Sequence, residues 1–391
     1  MTAPASVPVR TDRAAVATIL IAVSAVAIAQ GLTFPLIAVL MQERGASSSQ
    51  IAAHAAALMV GLAVSVLVLP FLSSRFGPGT LLSGALAVSV LGVAGFLLTE
   101  DDASWLVLRL LLGFCVNTVY VTGEAWLGRA SAPQVRGRIS GIYNMVLAGG
   151  FCVGPMGIPL LGTQGPLPFL ACSALLGTAA LGAVLVSSGS LPPSTERTTF
   201  QDLPRFARAA PRLLVLVLTF AAIDAVAIAL LPAWVAATGG GANGAAIFVA
   251  VMHGGMVLTQ PLIGAAIDRF DAERVAKGCV AVTFTAFAGM LVAPAALLPL
   301  AALGGASFMG LHTCALTMLG AEHRGALLMA GTVAFSLAYS LGATAGLAGG
   351  GMLADRMPSG GVLAVLLACL VCAATLRSGP VHRGSTPVSH A

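Results

Sequence analysis

The chain has 391 residues, 58% of them hydrophobic and only 8% charged, with a net charge of +5. So little charge cannot cover the surface of a soluble protein of this length, which excludes a soluble globular enzyme and points to a membrane protein. The basic residues sit between apolar runs and form no aromatic-interleaved patch, so they argue against nucleic-acid binding and report membrane topology instead.

Twelve apolar runs are long enough to span a bilayer, at roughly 20 residues each. They cover 14–40, 50–73, 79–99, 104–128, 137–162, 166–188, 212–237, 244–267, 275–294, 296–320, 326–353 and 360–377. The ninth and tenth divide around Pro294 and Pro299. The first run, from Ala14, is long enough to remain in the membrane, so no cleavable leader is expected. With the N-terminus on the cytoplasmic side, sixteen of the 19 basic residues fall inside. Arg44, Arg356 and the acidic run Glu100-Asp101-Asp102 fall outside, and Arg109 lies within the membrane. The expected fold is therefore an all-α integral membrane protein of twelve transmembrane helices in two pseudo-symmetric six-helix bundles. The bundles are 1–188 and 212–391, and a polar cytoplasmic tether, 189–211, joins them. All seven cysteines lie in apolar runs, so free thiols are expected, Cys369 and Cys372 included.

Ionisable and polar groups at membrane depth are costly, and each is a functional candidate. On the fourth span, a helix places Tyr120 about 20°, Glu124 about 60° and Asn117 about 80° round from Arg109, so all four share one face. Arg109 and Glu124 lie roughly 22 Å apart along the axis and cannot pair. Glu124 is the expected proton carrier, and the alternative is a structural anchor for the basic loop holding Arg129, Arg136 and Arg138. Asp224 stands in the middle of the seventh span and needs a proton or a partner. His253 and Gln260 lie within about 20° of one face of the eighth span and are expected to line a cavity, with Gln30 and Asn144 as further candidates.

The two halves look like repeats. Arg136-Gly137 and Arg324-Gly325 are 188 residues apart, as are Gly154 and Gly342. The same offset sets His312 opposite Glu124 as a second coupling group. No nucleophile–base pairing, metal-ligand cluster or phosphate-cradling loop is legible, so neither an enzyme nor a cofactor is expected.

Four stretches carry a resemblance that spans the whole chain. Gly264-Ala-Ala-Ile-Asp268-Arg269-Phe-Asp271-Ala-Glu-Arg274 is similar to the loop signature of the major facilitator superfamily, with Asp271 in place of a glycine. A degraded first copy holds Ser74-Arg75-Phe-Gly77 and lacks the aspartate. Arg109-Leu-Leu-Leu-Gly113 resembles the family's fourth-span motif, and Gly150-x-x-x-Gly154-Pro155 resembles the fifth-span motif of its antiporters in part. Glu124-Ala-Trp126-Leu127 followed by Arg136-Gly137-Arg138 resembles the bacterial YcaD-type permease branch. The resemblance implies a monomeric secondary transporter in the bacterial inner membrane. A small organic solute, protons and the bilayer are its partners, and the loop motifs lock the gate. Export is the expected direction, from the partial antiporter motif. A proton symporter or importer on the same fold, and a non-transporting membrane receptor or assembly protein, are the alternatives.

Overall fold

A computed structural model of the chain describes residues 12–130, 136–187, 202–323 and 325–377, and every regular element among them is helical. Ten stretches are long and apolar enough to cross a membrane. These helices are apolar nearly all round, as lipid-embedded helices must be, because only internal hydrogen bonds can satisfy a backbone in hydrocarbon.

The first half runs α1 (Arg13–Glu43), α2 (Ser48–Ser73), α3 (Pro78–Gly95), α4 (Asp102–Ala130), α5 (Arg136–Val153), α6 (Gly157–Leu161) and α7 (Leu167–Ser187). Local chemistry sets the boundaries. Asp12 caps α1 by accepting from the backbone N–H of Ala15, and Ser47 with Gln50 forms a capping box on α2. Gly77 precedes Pro78 at the start of α3, where a missing N–H costs nothing. Asp101 accepts from the backbone N–H of Ser104 and from its hydroxyl, which hold this exposed carboxyl below the usual carboxylate range. Pro155 has no N–H to continue α5, which tightens into a 3-10 turn, Gly154–Met156, before α6.

The second half runs α8 (Leu203–Ala209), α9 (Pro211–Ala229), α10 (Leu231–Val235), α11 (Gly241–Phe270), α12 (Ala272–Val292), α13 (Leu297–Glu322), α14 (Gly325–Arg356) and α15 (Gly360–Arg377). The apolar stretch Pro211–Phe270 is 60 residues long but is not one rod. It breaks at Leu230 ahead of Pro232, then reverses through Ala236–Gly240 with Gly239 at φ 103° and Gly241 at φ 58°. The division between α12 and α13 falls at Pro294–Ala296, where the sequence places it.

In the first half α1 packs on α4, α5 and α7, α2 on α4, and α3 on α4 and α7. In the second, α9 packs on α13, α14 and α15, α11 on α13, and α12 on α13 and α15. Glycines set matching close approaches in both halves. A Cβ on Gly61 or Gly113 would meet the α4 or α2 backbone at 2.0 Å, and Gly255 and Gly305 stand in the same way between α11 and α13, at 2.1 and 2.2 Å. Gly150 and Gly154 seat α5 on α1 at Ala27 and Ile28, while Gly342 and Gly346 seat α14 on α9 at Leu218 and Ala222. The repeat offset in α4 and α5 is thus 192 residues, from Gly150 to Gly342 and from Gly113 to Gly305. Gly154 pairs with Gly346 rather than Gly342, and the counterpart of His312 is Tyr120, not Glu124. The Arg-Gly pairs, 188 residues apart, therefore do not stand at matching positions: in this register α14 begins three residues earlier than α5.

The segment read as a tether also differs. Of 189–211, residues 202–211 are described and hold α8, whose Phe206 is fully buried. Its ring meets His323 at 5.2 Å and Phe335 at 6.3 Å between ring centroids. This part of the connection is docked on α14 by an aromatic anchor.

Candidate functional site

The two ends of the bundle are held differently. At one end, Glu43 accepts from Gln164, Arg44 lies 4.7 Å over the Trp105 ring, and Ser49 meets Asp355. At the other, the N–H of Asp12 donates to the Ala130 carbonyl, and Arg212 approaches Glu273 at 3.9 Å. Asp355 marks the first end and Asp268 the second.

The halves are sealed together at the Asp355 end. Both Asp355 oxygens accept from the backbone N–H of Ser49, at 3.2 Å each, and one also accepts from its hydroxyl. The carboxylate of α14 therefore sits on the N-terminus of α2, where the free N–H groups and the helix dipole favour a negative charge. Gly351 lets α14 close onto Ala52 of α2. Further along the seam, Phe151 of α5 stacks on His253 of α11 at 5.4 Å, and the Cys152 thiol donates to the Ala250 carbonyl. His253, expected to line a cavity, is instead buried in this seam, with Nδ1 2.9 Å from the Val249 carbonyl. Nothing in the sequence marks Asp355, because its partner is 306 residues away.

Between the ends, polar groups gather on inner helix faces. In the first half, the Tyr120 hydroxyl donates to Gln30 Oε1 at 2.7 Å, and the Tyr143 hydroxyl donates to the Tyr120 carbonyl at 3.3 Å. In the second, the Tyr339 hydroxyl donates to Asp224 Oδ2 at 2.6 Å. His312 stacks on Phe220 at 4.9 Å, and Phe220 also touches Phe308 and Tyr339. Gln30 on α1 and Asp224 on α9 thus each accept from a tyrosine hydroxyl, Tyr120 and Tyr339 respectively. The phenols of Tyr120 and Tyr339 lie close enough to interact electrostatically across the halves. Tyr339 was not singled out from sequence; its polar handle is hidden in an Ala-rich run, and only Asp224 facing it reveals the pair.

The remaining expected residues divide. Asn117 donates to the Leu62 carbonyl and to Ser65, so it ties α4 to α2. Gln260 accepts from Thr313 at 2.8 Å and joins α11 to α13, leaving its own Nε2 buried without a partner. Asn144 is exposed on α5, and Glu124 stands near the inner end of α4 with Tyr143 within its electrostatic reach. Arg109 is 3% exposed and faces Phe34 at 5.3 Å. The side chains of Arg136 and Arg138 lie outside the described residues.

The loop motifs are at the Asp268 end. Arg75 is exposed and folds over Phe71 at 4.1 Å, and Gly77 serves as the cap residue of α3. Asp268, Arg269 and Arg274 are exposed, and among the described residues none of them forms an ion pair. Gly264 has open space where a Cβ would go. Asp271 is the sole non-glycine residue with positive φ among the described residues, at φ 76° and ψ 138°. A glycine would occupy that conformation without strain. The Gly150, Gly154 and Pro155 motif is a packing device against α1, with a Cβ on Gly154 meeting the Ile28 carbonyl at 2.4 Å.

Among the described residues, no group of three His, Cys, Asp or Glu is placed to hold a metal ion. The profile of the Major Facilitator Superfamily matches residues 19–343. A Bacillus subtilis (strain 168) protein described as an uncharacterized MFS-type transporter, YfkF, is 29% identical over 143 residues, which is 36% of each chain. The chain thus spans little more than a third of this curated relative's length. Among solved structures, the nucleoside transporter NupG superposes with a TM-score of 0.78 at 11% identity, covering 93% of this chain and 97% of that one. A bacterial homologue of the human lysosomal transporter Spinster, in an inward-facing and unoccupied conformation, superposes with a TM-score of 0.70 at 12% identity, covering 94% and 93%. Identities this low carry the fold alone. The chain belongs to the major facilitator superfamily, a family of membrane transporters and not of enzymes.

Proposed function

We propose that the chain is a secondary active transporter that moves a small organic solute by alternating access between two six-helix bundles, 1–188 and 212–391. Counting the break at Leu230 as one span and the reversal at Ala236–Gly241 as a turn gives twelve spans, α15 included. The basic residues set both termini and the 189–211 connection on the cytoplasmic side of a bacterial inner membrane. On that orientation the Asp355 end is external and sealed, and the free Asp268 and Arg269 side chains belong to a released cytoplasmic gate. The protein works as a monomer coupled to protons and acts as an exporter. Export draws on the partial fifth-span motif, and the YcaD-type branch draws on Glu124-Ala-Trp126-Leu127 and Arg136-Gly137-Arg138.

The observation that carries this reading is Asp224. It stands half-buried in the middle of an apolar helix with the Tyr339 hydroxyl as its one hydrogen-bond partner, and no cation pairs with it among the described residues. A carboxylate at such depth must bind a proton or a cationic group, and switching between the two couples an ion gradient to a solute. Asp224 therefore takes first place as the coupling group, with His312 beside it on Phe220 and Gln30, Tyr120 and Tyr339 lining the solute path. Glu124, near the inner end of α4, becomes the second proton site or the anchor of the basic loop. The test is purified protein in liposomes loaded with a pH-sensitive dye and screened against candidate solutes. A solute-dependent proton flux supports the reading, and its absence across a broad panel, with a known antiporter responding in parallel, counts against it.

A further inference from the structure

A second polar site lies away from Asp224, towards the Asp355 end. Phe34, Ile37, Ala38 and Met41 of α1, Ile51, His54 and Ala55 of α2, Arg109 of α4 and Ala229 of α9 line a pocket whose walls are drawn together so closely that no gap admits a water molecule. Two nitrogens in these walls are buried and unpartnered, Arg109 Nε and His54 Nδ1. Among the described residues the Arg109 guanidinium makes no hydrogen bond and no ion pair, and the Phe34 ring is its one counterweight. The nearby carboxylate of Asp102 is engaged elsewhere, at 2.8 Å from His54 Nε2.

A guanidinium whose Nε is buried without an acceptor, in a residue only 3% exposed, is an unfavourable arrangement. It persists because the surrounding helices hold it, and it becomes useful if a ligand supplies the missing acceptor. We propose that Arg109, with His54 beside it, is a binding site for a small monovalent anion, a carboxylate or a halide. In this structure the walls of the pocket are closed on one another. Every wall residue except Ala229 comes from the first half, so parting the halves at the Asp355 end withdraws the α9 wall and opens the site from that side. The planar guanidinium suits a carboxylate, which it grips through two parallel hydrogen bonds, and the apolar walls suit a ligand with little polarity beyond its charge. This opening rests on the alternating-access reading, but anion binding is measurable without transport.

The test is thermal unfolding and tryptophan fluorescence of the purified protein, titrated with sodium chloride, acetate or benzoate against sodium gluconate at constant ionic strength. Trp105 reports locally, since it sits 6.4 Å from the His54 ring. The expected result is a saturable response lost in Arg109→Gln by at least about tenfold in affinity, retained in Lys277→Gln, and strengthened in Asp355→Ala. A response to chloride alone assigns the site to an inorganic ion; a response to the carboxylates assigns it to the acidic group of an organic solute. If Arg109→Gln does not fold, a cysteine at Ala55 supplies the second measure, because bound anion must slow its modification. An equal response in Arg109→Gln, or no protection of that cysteine, overturns the proposal. No outcome here bears on whether protons drive transport.

Discussion

Removing the Asp355 carboxylate should open the seam without unfolding either helix. The carboxylate of α14 accepts from the backbone N–H and the hydroxyl of Ser49, across the two halves. The first turn of α2 keeps its own cap, because Ser47 and Gln50 hold each other's backbone N–H groups. Asp355→Ala therefore deletes an inter-helix tie and leaves the helix intact. A cap of this kind contributes about 1 kcal/mol, and a charged acceptor adds to that, while exposure of the side chain keeps the total near the lower figure. One kcal/mol shifts an equilibrium about fivefold. Spin labels at Glu100 and Ala237, both exposed at the Asp355 end on opposite halves, should then show about a fivefold rise in the ratio of the long-distance to the short-distance population. An unchanged distance distribution in Asp355→Ala would refute the idea that this contact holds the seam.

Three further outcomes follow from packing. Gly154→Val should lower stability by about 2–5 kcal/mol, since its Cβ meets the Ile28 carbonyl at 2.4 Å, whereas Gly264→Ala should be neutral or slightly stabilising because nothing lies within 4 Å. Thermal unfolding in one detergent compares the two. Asp271→Gly should raise stability by about 1 kcal/mol by relieving the positive φ, and a lower melting temperature would show that the aspartate makes a compensating contact. Phe206→Ala should cost about 3–5 kcal/mol and expose α8 to proteolysis, and unchanged cleavage at 202–211 would deny that the ring anchors it.

The span boundaries were legible because bilayer thickness writes a length into sequence, and the α12–α13 division was legible from Pro294 and Pro299. The departure at Asp271 was also visible, because the loop signature that the stretch resembles has a glycine there, and the structure gives that position a positive φ. The repeat register was not. The two Arg-Gly pairs stand at positions that do not match, because α14 begins three residues earlier in the repeat than α5, so counting from them misplaced His312 opposite Glu124. Contacts between halves left no local trace either. His253 reads as a lone polar residue on an apolar helix, and its stacking partner Phe151 is about 100 residues distant. Helical periodicity put Glu124 on the face shared with Arg109 and could not say that Tyr143 of α5 would come within its electrostatic reach.

The central claim is that a carboxylate at Asp224 couples protons to solute movement. It is tested most directly by Asp224→Asn in liposomes, where uphill transport driven by a proton gradient and downhill solute exchange are measured on the same preparation. The substitution keeps the shape and the hydrogen bond to Tyr339 while removing the titration. Loss of uphill transport with downhill exchange retained is the expected result, and Glu124→Gln measured in parallel tells a second proton site from an anchor of the basic loop. Full proton-driven transport in Asp224→Asn contradicts the account, whatever Glu124→Gln does.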